Sequence, residues 1–296
     1  MQLKVELHEL LTKLGLKYID TIADRRGTIV LRVTRDGAPL ILKLHSDIVD
    51  EDSKRKEKLL IHESEILSQI PQLTKHLYVE HGTDNKTHWL LIREIDGQLV
   101  HLAAKKAREN ISDQKELTSF LIELQLKISE FYSTLYRGGY LHGDVQPAHT
   151  FLEHGQITII DWGLSSKLSK PDPMYNGGFI YYVAPEIALQ MQHKDATIEY
   201  TPQSEVYALG AVLFMIYTGS LALNFDVAMA DIQNVSMENK LRKVIENSIF
   251  TFRELKAEPY PALEECLRKC LSTKPMDRFE SPSLLYSHLL ELNKLE

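Results

Sequence analysis

The sequence predicts an α+β fold in two lobes: a small strand-rich N-terminal lobe with one main helix over residues 1–95, and a larger, mostly helical C-terminal lobe over residues 96–296. Three observations predict it. Apolar and polar residues alternate within residues 18–45, the period of a half-buried strand. One charged stretch, DEDSKRKEKLLIHESEILSQI, reads as a helix among the strands. After residue 97 the pattern changes to a long amphipathic run, and from Pro185 onward the chain reads mostly helical.

The elements follow in order. Leu7, Leu10, Leu11 and Leu14 fall at helical spacing, so a short amphipathic helix opens the chain; its alternating charges lack the continuous apolar middle of a signal peptide. Ile29, Leu31 and Val33 mark one strand, RDG a hairpin turn, and APLILKL the returning strand. The charged helix, with a solvated face, is stopped by Pro71. HLYVEHG and HWLLIREIDG are two further strands, and the shift near residues 95–98 reads as a hinge. The run SDQKELTSFLIELQLKISEFYSTLYR is a long helix with Ser112 as N-cap and Gly138–Gly139 at its end. TFLE and QITIID form a short hairpin.

The totals set bounds. A chain of 296 residues, 44% hydrophobic, can bury a sizeable core. A net charge of −7 gives no reason to expect nucleic acid or an anionic membrane as the main partner. No apolar run approaches the ~20 residues a membrane span requires. Cys266 and Cys270 lie at i, i+4 on one helix face and read as small core residues, not as a disulfide framework or a zinc pair. The expected compartment is reducing and cytoplasmic.

A series of motifs then appears in order: LILK ending in Lys43, Glu63 on the charged helix, HGD (142–144), DWG (161–163), APE (184–186), SEVYALG (204–210) and KPMDRF (274–279). This order resembles the eukaryotic-like protein kinase family, over roughly residues 18–290. Phosphoryl transfer in that family depends on charge neutralisation and alignment more than on covalent catalysis. The resemblance implies ATP and Mg as cofactors. It implies that Lys43, fixed by Glu63, holds the α- and β-phosphates, that Asp144 is the catalytic base, and that Asp161 binds magnesium. It places the nucleotide against Ile22, Gly27, Ile29, Ile41 and Phe151, with Ile92 as gatekeeper and backbone groups of Arg93 and Ile95 on adenine. Glu186 and Arg278 match a buried ion pair that braces the activation segment, and Glu205 a residue that ties down the catalytic loop.

The sequence also departs from the family pattern, as an atypical member with an HGD catalytic loop. Its glycine-rich loop is degenerate: Ile22 and Asp24 stand at glycine positions, and only Gly27 is kept. Arg25 and Arg26 could reach phosphate, or the segment is a plain polar hairpin tip. Gln146 stands at the position of a lysine that contacts the transferred phosphoryl group. His149 stands at the position of a metal-binding asparagine, and reads equally as a ligand or as a buried structural histidine. Gly143 replaces an arginine that reads activation-loop phosphate, although Ser165, Ser166, Ser169 and Tyr175 could accept phosphate. Phe179 stands where a threonine touches the catalytic aspartate. Trp162 takes the place of the usual phenylalanine in DWG.

Three function classes follow. The first is an ATP- and Mg-dependent phosphotransferase acting on an acceptor hydroxyl. The second is a pseudokinase serving as a nucleotide-binding or scaffold module. The third is a small-molecule kinase on the same fold. The surviving set Lys43, Glu63, Asp144 and Asp161 favours the first, since two unpaired carboxylates in one cleft repel each other. APE and Arg278 favour a protein substrate or regulatory protein partner over a small molecule.

Overall fold

Two residues, Asp36 and Gly37, set the register of the N-terminal sheet. Both adopt left-handed backbone (φ 53° and 83°), the conformation of a two-residue hairpin whose twist matches that of its strands. The computed structural model describes all of the chain except residues 1, 26, 27, 46–50, 75, 170–174, 176, 195, 196, 295 and 296. The chain divides into two units, Met1–Asp96 and Gly97–Glu296.

In the first unit, β1 (Lys17–Arg25), β2 (Thr28–Arg35), β3 (Ala38–His45), β4 (Tyr78–Asp84) and β5 (Thr87–Arg93) form an antiparallel sheet of order β1-β2-β3-β5-β4. Alternation sends Ile29, Leu31 and Val33 to one face with Leu40, Leu42 and Leu44, and Trp89 and Leu91 of β5 join them. Leu10 and Leu11 of α1 (Gln2–Lys13), with Leu16 just beyond it, complete this cluster. Each such side chain contributes about 1.5–3 kcal/mol when fully buried. The charged helix is α2 (Glu51–Gln69), which packs on β3 and β5; Pro71 opens the short helix α3 (Pro71–Thr74). Pro71 thus ends one helix and starts another, as its fixed φ and missing N–H allow.

The second unit holds β6 (Gln98–Leu99), α4 (Val100–Asn110), α5 (Gln114–Arg137), β7 (Tyr140–Leu141), β8 (Thr150–Glu153), β9 (Gln156–Ile159) and β10 (Ser166–Lys167). It continues with α6 (Pro185–His193), α7 (Pro202–Thr218), α8 (Met237–Glu246), α9 (Pro261–Cys270) and α10 (Pro282–Asn293). α7 is its centre: buried on nearly every side, it packs against α4, α5, α9 and α10. Cys266 and Cys270 are buried free thiols on α9. The TFLE–QITI hairpin forms as β8–β9, with β6 added at its edge.

Two expectations need correction. The N-cap of α5 is Asp113, not Ser112: its carboxylate accepts from the backbone N–H groups of Lys115 (2.8 Å) and Glu116 (3.0 Å). Either residue can cap, and the phase of the apolar face decides between them. Helix α4 was not separated from the rest of its lobe in the sequence pattern, because only Val100, Ala103, Ala104 and Ala107 form its buried stripe. Among the described residues no helix is long and apolar enough to cross a membrane.

Candidate active site

On β3 the residues between the leucines, Ile41 and Lys43, face away from the leucine cluster. Lys43 Nζ donates to Glu63 Oε1 of α2 at 2.7 Å, and Glu63 is only 4% exposed. A charge taken this far from water is stable only with its partner, so the pair holds the lysine at a fixed position. Val30 lies directly opposite Lys43, and Arg32 opposite Ile41.

This register corrects one nucleotide-binding expectation. Ile29 is 6% exposed and belongs to the cluster beneath α1, on the face opposite Ile41 and Lys43. Successive strand residues point to opposite faces, so Ile29 and Ile41 cannot line one slot; the face of Ile41 and Lys43 carries Val30 instead. The signal was in the sequence: counting outward from the turn residues Asp36 and Gly37 puts position 30 opposite position 43.

The remaining first-unit candidates are spread along the sheet. Ile22 is 49% exposed, at an irregularity of β1 between Thr21 and Ala23. Gly27 lies outside the described residues, as do Arg26 and the side chain of Arg25. Ile92 is buried at the end of β5. Arg93 uses its N–H on the Leu77 carbonyl (2.8 Å) and its guanidinium on the His76 and Glu94 carbonyls (2.6 and 3.0 Å). Ile95 follows, half-buried.

In the second unit the loop after β7 carries the main cluster. Glu205, fully buried on α7, accepts from the backbone N–H of His142 (2.9 Å) and of Gly143 (3.0 Å) and from the Tyr200 hydroxyl (3.0 Å). Burial pushes the Glu205 carboxyl up to about 7, while these donors pull the other way. Tyr200 was not singled out in the sequence; an isolated tyrosine between two turns carries no signal of this role. The His142 ring, pushed down to about 3 by burial, accepts from the Asp144 N–H at Nδ1 (3.2 Å), and its Nε2 meets the Ile160 carbonyl at 3.2 Å. Gly143 has φ 81°, and a Cβ there would overlap the Leu164 carbonyl. Glycine at this position lets the segment after DWG lie directly on the loop. That segment is anchored further by Ser165 Oγ donating to the His142 carbonyl (3.0 Å) and by β10 pairing with β7.

Asp144 is half-buried and sits among groups that face it. Gln146 Nε2 donates to its Oδ2 at 3.0 Å, and the backbone N–H of Phe179 donates to its Oδ1 at 3.2 Å. Phe179 therefore supplies a main-chain donor where its side chain has none. His149, at the end of the 3₁₀ turn Pro147–His149, has Nδ1 3.4 Å from Asp144 Oδ2 and Nε2 3.4 Å from Asp161 Oδ2. Burial raises the Asp144 carboxyl above its ordinary range; His149 acts against the shift and Asp161 adds to it. Asp161, exposed after β9, takes a left-handed backbone (φ 65°), a strained conformation for a non-glycine residue. One ligand atom each from Asp144, His149 and Asp161 lie within 4.8 Å of one another. Two carboxylates and an imidazole are a donor set that fits a divalent cation.

Trp162 is fully buried, with its indole N–H on the Ile159 carbonyl (3.0 Å) and its ring 5.0 Å from that of His142. Glu186 and Arg278 form a two-pronged pair at 2.8 and 2.7 Å; the Arg278 side chain is 0% exposed. Ser165, Ser166 and Tyr175, considered as phosphate acceptors, are buried, and Ser169 is exposed. Phe151 is half-buried on β8, opposite Thr158 and Leu99. The structure thus gathers Lys43 with Glu63 in the first unit, and Asp144, Gln146, His149 and Asp161 in the second.

A family model described as protein kinase domain matches residues 30–290. A probable serine/threonine-protein kinase of Clostridium perfringens is 21% identical over 223 residues, covering 72% of this chain and 28% of the relative. The probable serine/threonine-protein kinase PknB of Lactococcus lactis is 23% identical over 181 residues, covering 56% of this chain and 28% of the relative. Cyclin-dependent kinase F-3 of rice is 26% identical over 114 residues, covering 38% and 24%. The aligned region thus spans about a quarter of the length of these curated relatives.

Proposed function

The chain belongs to the protein kinase domain family, and from that premise we propose that it is an ATP-dependent, divalent-metal-dependent phosphotransferase that moves the γ-phosphate to a hydroxyl of a protein acceptor. The observation that carries this reading is the convergence of Asp144, His149 and Asp161 on a loop fixed from beneath by Glu205.

In this reading Lys43, held by Glu63, grips the α- and β-phosphates, with Val30 and Ile41 on the same sheet face against the base. Adenine bonds to the Arg93 carbonyl and the Ile95 amide; the Arg93 N–H is already used by Leu77. A cation held by Asp161 and His149 would neutralise phosphate charge. Asp144 accepts the bond of the acceptor hydroxyl and orients it, while the Phe179 N–H and the Gln146 amide fix the carboxylate. Gln146, neutral, supports alignment and supplies no charge. Residues 1–95 then form the nucleotide-gripping lobe and residues 96–296 the lobe that carries the catalytic loop.

A second reading is a nucleotide-binding regulatory module without transfer. It is favoured by Gln146, which puts a neutral amide beside Asp144 where a cation would steady the moving phosphoryl group. ADP production by the purified protein, compared with Asp144→Asn, separates the two. The first reading expects turnover to fall about 10²–10⁴-fold in the variant with nucleotide affinity nearly unchanged. Equal rates in the two proteins would sink it.

A further inference from the structure

The geometry around His149 points to which cation this site takes. We propose that His149 is a metal ligand through Nε2, and that it makes the site select manganese over magnesium. This rests on the reading of Asp161 and His149 as the cation-holding residues of a phosphotransferase.

The first step is the tautomer. Nδ1 of His149 lies 3.3 Å from the backbone carbonyl of Asp144 and 3.4 Å from its Oδ2. A carbonyl oxygen only accepts, so Nδ1 carries the hydrogen. That leaves the lone pair on Nε2, which faces Asp161 Oδ2 at 3.4 Å. Nε2 and the Asp161 carboxylate thus face each other with ligand atoms that one divalent cation can bind together. The arrangement also has the form of a ligating histidine: its second ring nitrogen is committed to a carbonyl and a carboxylate, which fixes the ring and raises its basicity.

The second step is the chemistry of the donors. Magnesium demands oxygen ligands in near-octahedral geometry and gives up water reluctantly. An imidazole nitrogen in its place weakens magnesium but suits first-row transition ions. Manganese, a first-row ion that shares with magnesium a liking for carboxylate and phosphate oxygen, can take the imidazole beside the Asp161 carboxylate. The His149 ring is held by the contact of Nδ1 to the Asp144 carbonyl, and its side chain is only 14% exposed. The expectation of magnesium as the cofactor is narrowed by this donor set, and His149 becomes the specificity-determining residue.

The test reads the metal directly. Mn²⁺ is titrated into the purified chain at fixed ionic strength, free Mn²⁺ is followed by its paramagnetic resonance signal, and Mg²⁺ is added as competitor. The wild-type protein should keep Mn²⁺ against Mg²⁺ in roughly tenfold or greater excess, and its bound Mn²⁺ should show the nitrogen coupling of an imidazole in a pulsed measurement. His149→Asn should lose that coupling, bind Mn²⁺ about tenfold more weakly and bind Mg²⁺ more tightly than the wild type. Bound Mn²⁺ without nitrogen coupling in the wild type, no Mn²⁺ binding at all, or equal selectivity in the two proteins would overturn the proposal. The coupling in the wild type needs no variant, so a poorly folding substitution does not remove the test. The outcome is independent of ADP production: a nitrogen-ligated Mn²⁺ with no turnover would refute the phosphotransferase reading and leave the ligand assignment standing.

Discussion

In the proposed function the loop after β7 and the β1–β2 hairpin share one kind of task, holding phosphate chemistry in place, and they are built in opposite ways. The loop is tied down from several sides: Glu205 takes two of its backbone N–H groups, Ser165 takes the His142 carbonyl, and Leu164 lies against Gly143. The hairpin offers Ile22 and Asp24 to solvent on an edge strand with register irregularities. Departures from the family pattern differ in the same way. In the loop the departures come with partners: Gln146 bonds Asp144 and His149 faces two carboxylates, while Phe179, outside the loop, supplies a backbone donor to it. On the hairpin, Ile22 and Asp24 stand at an exposed edge, where a change of side chain disturbs little else. A residue that is held by its neighbours can change only together with them, whereas an exposed one changes alone.

The sharpest way to break this comparison is at Glu205. Replacing it with Ala would leave two buried N–H groups and the Tyr200 hydroxyl without their acceptor, at about 1–3 kcal/mol for each orphaned group. Chemical denaturation should show a loss of several kcal/mol together with loss of turnover. A stable, active variant would mean that the loop is held elsewhere.

Gly143→Ala should come next. It forces a left-handed backbone on a residue with a Cβ and pushes that Cβ into the Leu164 carbonyl, a cost on the order of 1–3 kcal/mol. The thermal midpoint should drop, and protection of the segment around Leu164 should fall in hydrogen exchange. Unchanged protection would show that the segment does not depend on this contact.

A subtler effect is the pH dependence set by Glu205. Its carboxyl is raised in the folded chain to about 7 from an ordinary 4.5. A raised acid holds its proton more tightly when folded, so its contribution is full below about 4.5 and is lost as pH rises through about 7. Buried His142, pushed down to about 3, works in the opposite direction and loses its contribution as pH falls. The clean readout is therefore the difference between wild type and Glu205→Gln: the wild type should lose more stability between pH 5 and pH 8. Parallel curves would refute the shift.

The smallest effect should be at the hairpin. Asp24→Gly removes an exposed side chain and should change stability by no more than about 0.5 kcal/mol. If removing the negative charge helps phosphate approach, the apparent affinity for ATP should rise. A large stability change here would erase the contrast between the two regions.

Much of this molecule was legible in its sequence. Period-2 alternation gave the sheet, the Asp36–Gly37 turn gave its register, and the ordered motifs gave the family, because each rests on chemistry local to a few residues. That Lys43 and Glu63 pair at 2.7 Å follows the motif spacing. Tertiary structure decided what spacing cannot. It put Ile29 under α1, since alternation says which residues share a face but not which face an outside helix covers. It buried Ser165, Ser166 and Tyr175, and it chose Asp113 over Ser112 as a cap. Above all it brought His149 to 3.4 Å from two carboxylates that lie five and twelve positions away along the chain. A histidine's role depends on what faces each ring nitrogen, and in this chain that is fixed only when the turn at Pro147 and the backbone of Asp161 are folded against each other.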